Sequence, residues 1–456
     1  ERRRPATAAA HPRNLLRVLE PYYAMNVVEP MTLLHGHEPE EGPAAPRGSL
    51  ALDVAVIYLH VILPDPLAAR LPPIDVGWGA FARDRMFWGQ GMQGRSTIFR
   101  SFVASLEKQE RPGFHLLHIQ LPHLPWHYLP SGRAYSPFGW FTPQGRYLRD
   151  PSWALDAWQR HLLQVGFVDL LLGELLERLE EIGLYDECLL VVTADHGISF
   201  WPGRHYRSLE EHNHPEDVLA VPLFIKLPNQ RGGEVSRRNV ESIDIAPTIA
   251  DVIGLELPWK MDGCSVLDES CPERPTKLAF KPQAERPGFN QRLEFDPDVV
   301  LRPASLRRKL ALFGSGSTPG ALYRFGPFQQ LVGRRVEDFG PIGEAQVQAV
   351  LDPMQRLFPI GDEDELVPVR VSGVIRLPSA VRQRVYVAVA VAGVIQTVVP
   401  APRFGRSHRL AAMIPEEAVR DGRAEPALYL VTGSGDSPSL EALATERSGE
   451  RSRWRW

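Results

Sequence analysis

An acidic residue and a histidine stand side by side at the end of an apolar run. Asp195 and His196 follow Leu189–Val192, a short stretch rich in β-branched residues that predicts a buried strand, and Gly197 then permits a turn. Carboxylate oxygen and imidazole nitrogen both bind divalent metals, and ligands of open α/β sheets lie outside the carboxyl ends of the strands. The pair therefore predicts half of a metal site. A turn-forming aspartate beside a surface histidine would explain the tripeptide alone equally well.

A third candidate residue follows another predicted strand. His123 comes directly after the strand-like residues 114–120, within the sequence Leu-Pro-His-Leu-Pro. Because the carboxyl ends of neighbouring strands meet at one edge of a sheet, we expect His123 to lie beside the proposed ion. A structural histidine that fixes the proline-flanked turn is the alternative. His118, in the middle of the strand, is more typical of a core histidine, and His127 is either a site residue or a solvated loop residue.

The neighbouring segments predict the elements that position these residues. Apolar residues at three- and four-residue spacing from Leu162 to Leu184 predict an amphipathic helix, and Val221–Pro228 predicts a second strand. Asp244 is expected to cap a helix that has Pro247 in its first turn. Residues 204–214 form a loop with several arginines and histidines, and arginine suits a tetrahedral oxyanion.

Several of these segments occur together in a recognisable order. GLYDECLLVVTADHG, VPLFIKLP, IDIAPTIADVIGL and MDGCSVL, preceded by HLLHIQLPHLPW, resemble the sulfatase branch of the alkaline phosphatase superfamily. The resemblance covers roughly residues 10 to 270. It implies an α/β fold with a mostly parallel, alkaline-phosphatase-like sheet flanked by helices. It also implies metal-dependent hydrolysis of a sulfate or phosphate ester that is carried by a glycan, a lipid head group or a small molecule.

The resemblance also implies roles for individual residues. Asp195 and His196 would be metal ligands, and His123 would be a catalytic residue that contacts the sulfuryl or phosphoryl oxygens or the leaving group. Arg207 and His205, with His127, would bind substrate, although a plain solvated loop explains Arg207 and His205 as well. A carboxylate beside an imidazole favours manganese or zinc as the divalent metal, and calcium is also compatible.

The nucleophile that the resemblance requires is not found. Members of the family carry an acidic ligand after the first strand and a Ser, Thr or Cys-derived nucleophile, but residues 1–110 contain no such segment. Asp53 lies before its predicted strand rather than after it, and no Cys-x-Pro-x-Arg sequence occurs. We therefore expect the chain to begin downstream of the nucleophile and to be catalytically dead or severely impaired in isolation.

Two other functions fit the same motifs. The first is a transferase of the cell envelope that moves phosphoglycerol or phosphoethanolamine, with a membrane anchor in a segment absent from this sequence. The second is a non-catalytic remnant that acts as a binding module. The hydrolase and the transferase hypotheses both place the protein on the extracytoplasmic side of a bacterial envelope.

The composition sets wider bounds. The 456 residues are 44% hydrophobic and 23% charged, which is enough for a large core and two domains. The formal net charge of −4 gives no reason to expect nucleic acid as a partner. No apolar run has membrane-spanning length. Cys264 and Cys271 could form a disulfide in an oxidising compartment, and Cys188 is expected to be a packed thiol.

The amino-acid composition and the hydrophobic pattern change along the chain, and these changes predict its domains. Residues 1–272 form the sulfatase-like α/β domain, and residues 273–360 form a connector with short helices, such as Glu344–Leu357. Valine-rich runs predict a small antiparallel β domain over residues 361–433. Residues 434–456 are polar enough to predict a disordered tail.

Overall fold

The structure, a computed structural model, describes most of the chain in separate ranges. The described residues are 7, 8, 10–29, 32, 34, 35, 58, 59, 63, 95–135, 149–209, 214–282, 290–300, 303–314, 319–352, 366–377, 384–420, 425–434 and 437–447. Asp53 and most of the amino-terminal region searched for a nucleophile lie outside the described residues.

Helices and strands follow one another in chain order. The helices are α1 (Leu15–Leu19), α2 (Arg95–Ala104), α3 (Pro151–Glu181), α4 (Glu216–Leu219), α5 (Ile245–Val252), α6 (Pro297–Val300) and α7 (Pro303–Phe313). The strands are β1 (Ala24–Val28), β2 (Gly113–Leu117), β3 (Leu190–Thr193), β4 (Leu223–Lys226), β5 (Lys277–Pro282), β6 (Asn290–Phe295), β7 (Gly343–Leu351), β8 (Arg370–Arg376), β9 (Val385–Val391), β10 (Val394–Ala401), β11 (Arg403–Phe404), β12 (Ser407–Met413), β13 (Ala427–Ser434) and β14 (Ser437–Arg447). Of the helices described, none combines the length and apolar character needed to cross a bilayer.

The chain divides into two compact units. The first contains Glu1–Leu121, Leu171–Asp195 and Pro222–Pro297, and the second contains Pro122–Leu170, His196–Val221 and Asp298–Trp456.

The first unit contains short sheets rather than one large sheet. β1 and β2 are parallel, with Ala24 beside Gly113 and Val28 beside Leu117. β3 and β4 are antiparallel, and so are β5 and β6. The expected mostly parallel sheet flanked by helices is therefore not seen among the described residues. An apolar run predicts a strand, but its side-chain pattern does not specify the direction of the neighbouring strand.

Asp244 has a different role from the predicted helix cap. Its side chain caps no N–H of α5. Instead, the carboxylate accepts two hydrogen bonds of 2.6 Å from the Arg274 guanidinium and one of 2.9 Å from each of the Glu241 and Cys264 N–H groups. The prediction was wrong for α5 itself: the carboxylate caps the Glu241 N–H ahead of the 3₁₀ turn Ser242–Asp244 that leads into α5, and its partner Arg274 lies 30 residues further along the chain. The loop that follows is closed by a Cys264–Cys271 disulfide, the pairing that the sequence left open.

We expect the protein to lose stability as the pH falls below about 4, the ordinary range of an aspartate. Burial alone would raise the pKa of Asp244, but hydrogen bonds from Arg274 and from two backbone N–H groups hold this pKa below its ordinary value. A carboxylate with a depressed folded-state pKa stabilises the fold above its unfolded-state pKa, and this stability is lost as the pH falls through the folded-state pKa. Urea unfolding of the wild type and of Asp244→Asn, measured across this range, tests the prediction. An equally steep decline in both proteins would contradict it.

The second unit is built on an eight-stranded mixed sheet. The strand order is β10-β9-β13-β14-β7-β8-β12-β11, in which β14 and β7 are parallel and the other neighbours are antiparallel. β9 is buried on both faces: Val387, Val389 and Val391 join one apolar cluster, whereas Ala388 and Ala390 join another. This two-sided burial explains why β9 is a continuous apolar run rather than an alternating one.

The sheet extends beyond the predicted small β domain at both ends. The predicted helix Glu344–Leu357 is wrong where it overlaps β7, because Ala345, Val347, Ala349 and Leu351 pack on the core at a spacing of two residues. The predicted disordered tail is wrong over Ser437–Arg447, which form β14 and pair with a strand on each side.

Candidate functional site

His123 is held by hydrogen bonds at both ring nitrogens. Nδ1 lies 2.7 Å from the Leu124 carbonyl oxygen, so it must donate, and Nε2 lies 2.9 Å from Nη2 of Arg207. A guanidinium can only donate, so Nε2 carries the lone pair and the ring is neutral in this arrangement. The Gln164 side chain donates to the His123 carbonyl oxygen over 2.9 Å and fixes the backbone. The sequence predicted His123 and Arg207 separately, and the structure brings them into contact.

Arg207 also contacts the residues before it. Its guanidinium carbon lies 5.3 Å from the centre of the Tyr206 ring, a cation–π contact, and its side chain is exposed. The Arg207 backbone N–H donates to Nδ1 of His205 over 3.0 Å, which leaves the proton of a neutral His205 on Nε2. His205 stacks on Tyr206 with ring centres 4.6 Å apart. Three predicted residues therefore form one cluster, and most of the guanidinium N–H donors of Arg207 remain available to an anion.

His127 does not belong to this cluster. The residue is only 3% exposed, and its Nδ1 lies 3.1 Å from the Pro125 carbonyl oxygen. Its backbone N–H donates to Gln164 over 3.1 Å, and its carbonyl accepts from Tyr135 over 2.9 Å. These contacts hold the loop in shape, and substrate binding by His127 stays a prediction.

Asp195 and His196 follow β3 and differ in their burial. Asp195 is exposed and His196 is partly buried. Nδ1 of His196 donates to the Gly197 carbonyl oxygen over 2.8 Å, so the lone pair lies on Nε2, as in many metal-bound histidines. An exposed carboxylate and an oriented Nε2 suit a divalent metal, but two ligands are fewer than a stable site requires.

A third protein ligand for this pair is not evident in the described part of the chain. There, the group of three potential ligand atoms that lie within 4.8 Å of one another comes from Cys264, Asp268 and Cys271, and the two sulfurs of that group form the disulfide. Other groups would have to complete a metal site at Asp195 and His196.

Comparison with known proteins supports a likeness to sulfatases. The Sulfatase family matches residues 84–255, which include all six predicted site residues. This segment is a sulfatase-like member of the alkaline phosphatase superfamily. Within the wider chain, the match leaves the eight-stranded sheet of the second unit outside the family segment.

Similar curated proteins support this assignment over short stretches. A multifunctional alkaline phosphatase superfamily protein, PehA, of Trinickia caryophylli is 34% identical over 102 residues, which are 22% of this chain and 19% of that protein. An N-acetylglucosamine-6-O-sulfatase of Bacteroides thetaiotaomicron is 33% identical over 117 residues (25% and 20%), and arylsulfatase K of Bos taurus is 29% identical over 113 residues (25% and 20%). The chain thus spans about a fifth of the length of the curated relatives that it matches.

Gly197 fixes the turn of the sulfatase-like segment after His196. Its N–H donates to the Val218 carbonyl oxygen over 2.8 Å, and a Cβ at this position would lie 2.2 Å from the Asp217 carbonyl oxygen. No side chain fits at that distance, so only glycine allows the turn to pack against α4. The Asp217 carboxylate in turn binds Arg308 at 2.7 Å and Lys309 at 3.1 Å, both on α7.

Two features of the sulfatase-like segment and its flanks were missed by sequence reasoning. His118 is not a core histidine: its side chain is 40% exposed, and Nδ1 lies 2.8 Å from the Glu29 carboxylate. The parallel register of β1 and β2 brings these residues together, because each directly follows its strand. Glu29 at the end of an apolar run was the available signal. The second missed residue is His161, whose helical position resembles that of any polar residue on an amphipathic helix.

Proposed function

We propose that this chain binds a sulfate or phosphate ester and takes part in its metal-dependent hydrolysis. The observation that carries the proposal is the hydrogen bond between Arg207 and His123. It holds an exposed guanidinium in a fixed place, and a guanidinium forms charge-assisted hydrogen bonds with the oxygens of a tetrahedral oxyanion. His123 would act catalytically at the same oxygens or at the leaving group once the substrate takes its place beside Arg207. His205 would donate from Nε2 to the bound ester.

Asp195 and His196 would hold the divalent metal through a carboxylate oxygen and Nε2. Such a metal supplies Lewis-acid polarisation of the ester oxygens when it is bound. Mixed oxygen and nitrogen ligands favour manganese or zinc, and calcium stays compatible with the carboxylate. Sulfate and phosphate esters share the tetrahedral group on which this argument depends. The relative named as an N-acetylglucosamine-6-O-sulfatase makes a glycan ester the first substrate class to test.

The disulfide supports an extracytoplasmic location. Cys264 and Cys271 are bonded, and Arg238 donates hydrogen bonds to three carbonyl oxygens of the same loop, those of Val266, Asp268 and Cys271. Structural disulfides form and persist in oxidising compartments and are rare where thiols are kept reduced. We infer that the chain folds outside the cytoplasm.

Replacing Arg207 with glutamine is expected to weaken ester binding by roughly 10- to 100-fold, because charge-assisted hydrogen bonds contribute about 1.5–3 kcal/mol. Calorimetric titration of the whole chain with 4-nitrophenyl sulfate and 4-nitrophenyl phosphate, in the presence of Mn²⁺, measures the effect. Binding is the better readout because the sequence contains no recognised nucleophile segment. Arg231→Gln is the matched control, since the Arg231 side chain is 80% exposed and lies 3.8 Å from Asp186. Equal affinities for the Arg207 and Arg231 variants would refute the proposed function.

A further inference from the structure

A buried ring nitrogen lies in the same neighbourhood as His123. His161 is on α3, and its ring contacts Trp126 and Phe200 with ring centres 5.8 Å and 5.4 Å away. Nδ1 of His161 is shielded from water and makes no hydrogen bond with any residue that the structure describes. A buried polar atom without a partner costs about 1–3 kcal/mol, so native proteins contain few of them, often at functional sites. The cost needs a compensating role.

Burial and a nearby positive charge keep this ring neutral. Burial, followed by the positive charge of Lys309, lowers the pKa of His161 to about 3, so the ring is neutral at physiological pH. A neutral imidazole still has one N–H donor and one acceptor. His161 can therefore offer a hydrogen bond without adding a charge.

The charged side chains in contact with the partners of Lys309 and His123 leave an excess of positive charge. Arg308 and Lys309 share the single carboxylate of Asp217, and Arg207 is paired with a neutral histidine. These four side chains together have a net charge of about +2, with each counted at its ordinary protonation state. Such a neighbourhood favours an anion and disfavours a cation, which argues against a metal at Nδ1 of His161.

We propose that His161 is a substrate-contacting residue whose Nδ1–H donates to an oxygen of the bound tetrahedral oxyanion. This inference rests on the proposed function, because it assigns a further hydrogen-bond donor to the same ester. The donor would remove the unsatisfied polar atom when the anion binds. Lys309 and Arg207 would supply the balancing charge.

Three substitutions of His161 distinguish the contribution of Nδ1 to binding from that of Nε2. His161→Asn retains an amide near the position of Nδ1, His161→Gln places its amide near Nε2, and His161→Phe keeps the ring shape without nitrogen. Calorimetric titration of the whole chain with sodium sulfate, at constant ionic strength set with chloride, measures binding. We expect His161→Phe and His161→Gln to bind sulfate at least tenfold more weakly than the wild type, and His161→Asn to stay within threefold of it.

The outcomes distinguish this inference from the proposed function. A wild-type chain that binds no sulfate would refute the proposed function and this inference with it. If the wild type binds sulfate and Arg207→Gln weakens binding, then unchanged affinity in His161→Phe would overturn only the role of His161. Equal losses in His161→Asn and His161→Phe would also overturn it, because Nδ1 would then not be the contacting atom.

A measurement on the wild type covers the case in which a variant does not fold. In a chain labelled with ¹⁵N-histidine, the His161 ring is expected to stay neutral down to about pH 4, and its contacts with the Trp126 and Phe200 rings identify its resonances without a substitution. Addition of sulfate should shift its Nδ1 resonance. Unshifted ring resonances at saturating sulfate would show that His161 is only a packing residue.

Discussion

Replacing Asp156 with alanine is expected to lower the free energy of unfolding by about 3–5 kcal/mol, because the buried Arg370 guanidinium loses its carboxylate partner. Asp156 on α3 accepts hydrogen bonds of 2.5 Å and 2.9 Å from the two terminal nitrogens of Arg370 on β8. The Arg370 side chain is only 4% exposed, so water cannot replace the lost carboxylate. Breaking one side of a buried ion pair costs more than the pair contributes, since the remaining charge loses its hydrogen-bonded counter-charge. Denaturant unfolding followed by circular dichroism measures the difference.

Two further variants separate this effect from general damage to α3. Asp169→Ala removes an exposed carboxylate from the same helix and should change the unfolding free energy by less than about 0.5 kcal/mol. The double variant Asp156→Ala/Arg370→Met removes both charges and should recover part of the lost stability; the rest is expected from Arg160, whose Nη1 lies 3.9 Å from the Asp156 carboxylate. A double variant no more stable than Asp156→Ala would show that the buried charge is not the cause.

The second large effect is expected at Gly197. A Cβ there would lie 2.2 Å from the Asp217 carbonyl oxygen, and this neighbour is backbone rather than a flexible side chain. The turn or α4 must shift, and overpacking of this kind costs about 1–3 kcal/mol, with the upper end expected for a rigid neighbour. Because Gly197 directly follows His196, the shift should also move the imidazole. Gly197→Ala should therefore lose both stability and Mn²⁺-dependent ester binding.

Gly173→Ala provides a control of opposite sign. Gly173 lies within α3, and a Cβ at that position meets no atom within 4 Å. Alanine in a helix is more favourable than glycine by about 0.8–1.0 kcal/mol, so this variant should be more stable than the wild type. If Gly197→Ala proved as stable as Gly173→Ala, the close contact with Asp217 would not exist in solution.

Local pattern predicted many elements of the fold. Periodic apolar residues predicted α3, and short apolar runs predicted β3 and β4, because these signals depend on which face of an element is buried. β7 was missed because its alternation of apolar and polar residues was interpreted as a helix, and β14 was missed because polar residues dominate its composition. Pairing with β7 and β13 is what makes Ser437–Arg447 a strand.

The candidate site was predictable as single residues but not as contacts. His123 and Arg207 were each recognisable from neighbouring motifs, yet their hydrogen bond joins residues 84 positions apart. The ion pair of Asp156 with Arg370 joins residues 214 positions apart, and neither local sequence predicts it. The unsatisfied nitrogen of His161 depends on the absence of a nearby partner, which only the three-dimensional arrangement can reveal.

The place of β14 in the strand order has a consequence for folding. β14 lies between β13 and β7, so in this sheet it connects the group β10-β9-β13 to the group β7-β8-β12-β11. A folding chain in which β14 has not yet docked can form hairpins within each group but lacks the strand that joins them. Until β14 docks, β7 and β13 each expose an unpaired edge, and such edges attract other chains. Docking of β14 is therefore the folding step that removes this route to aggregation.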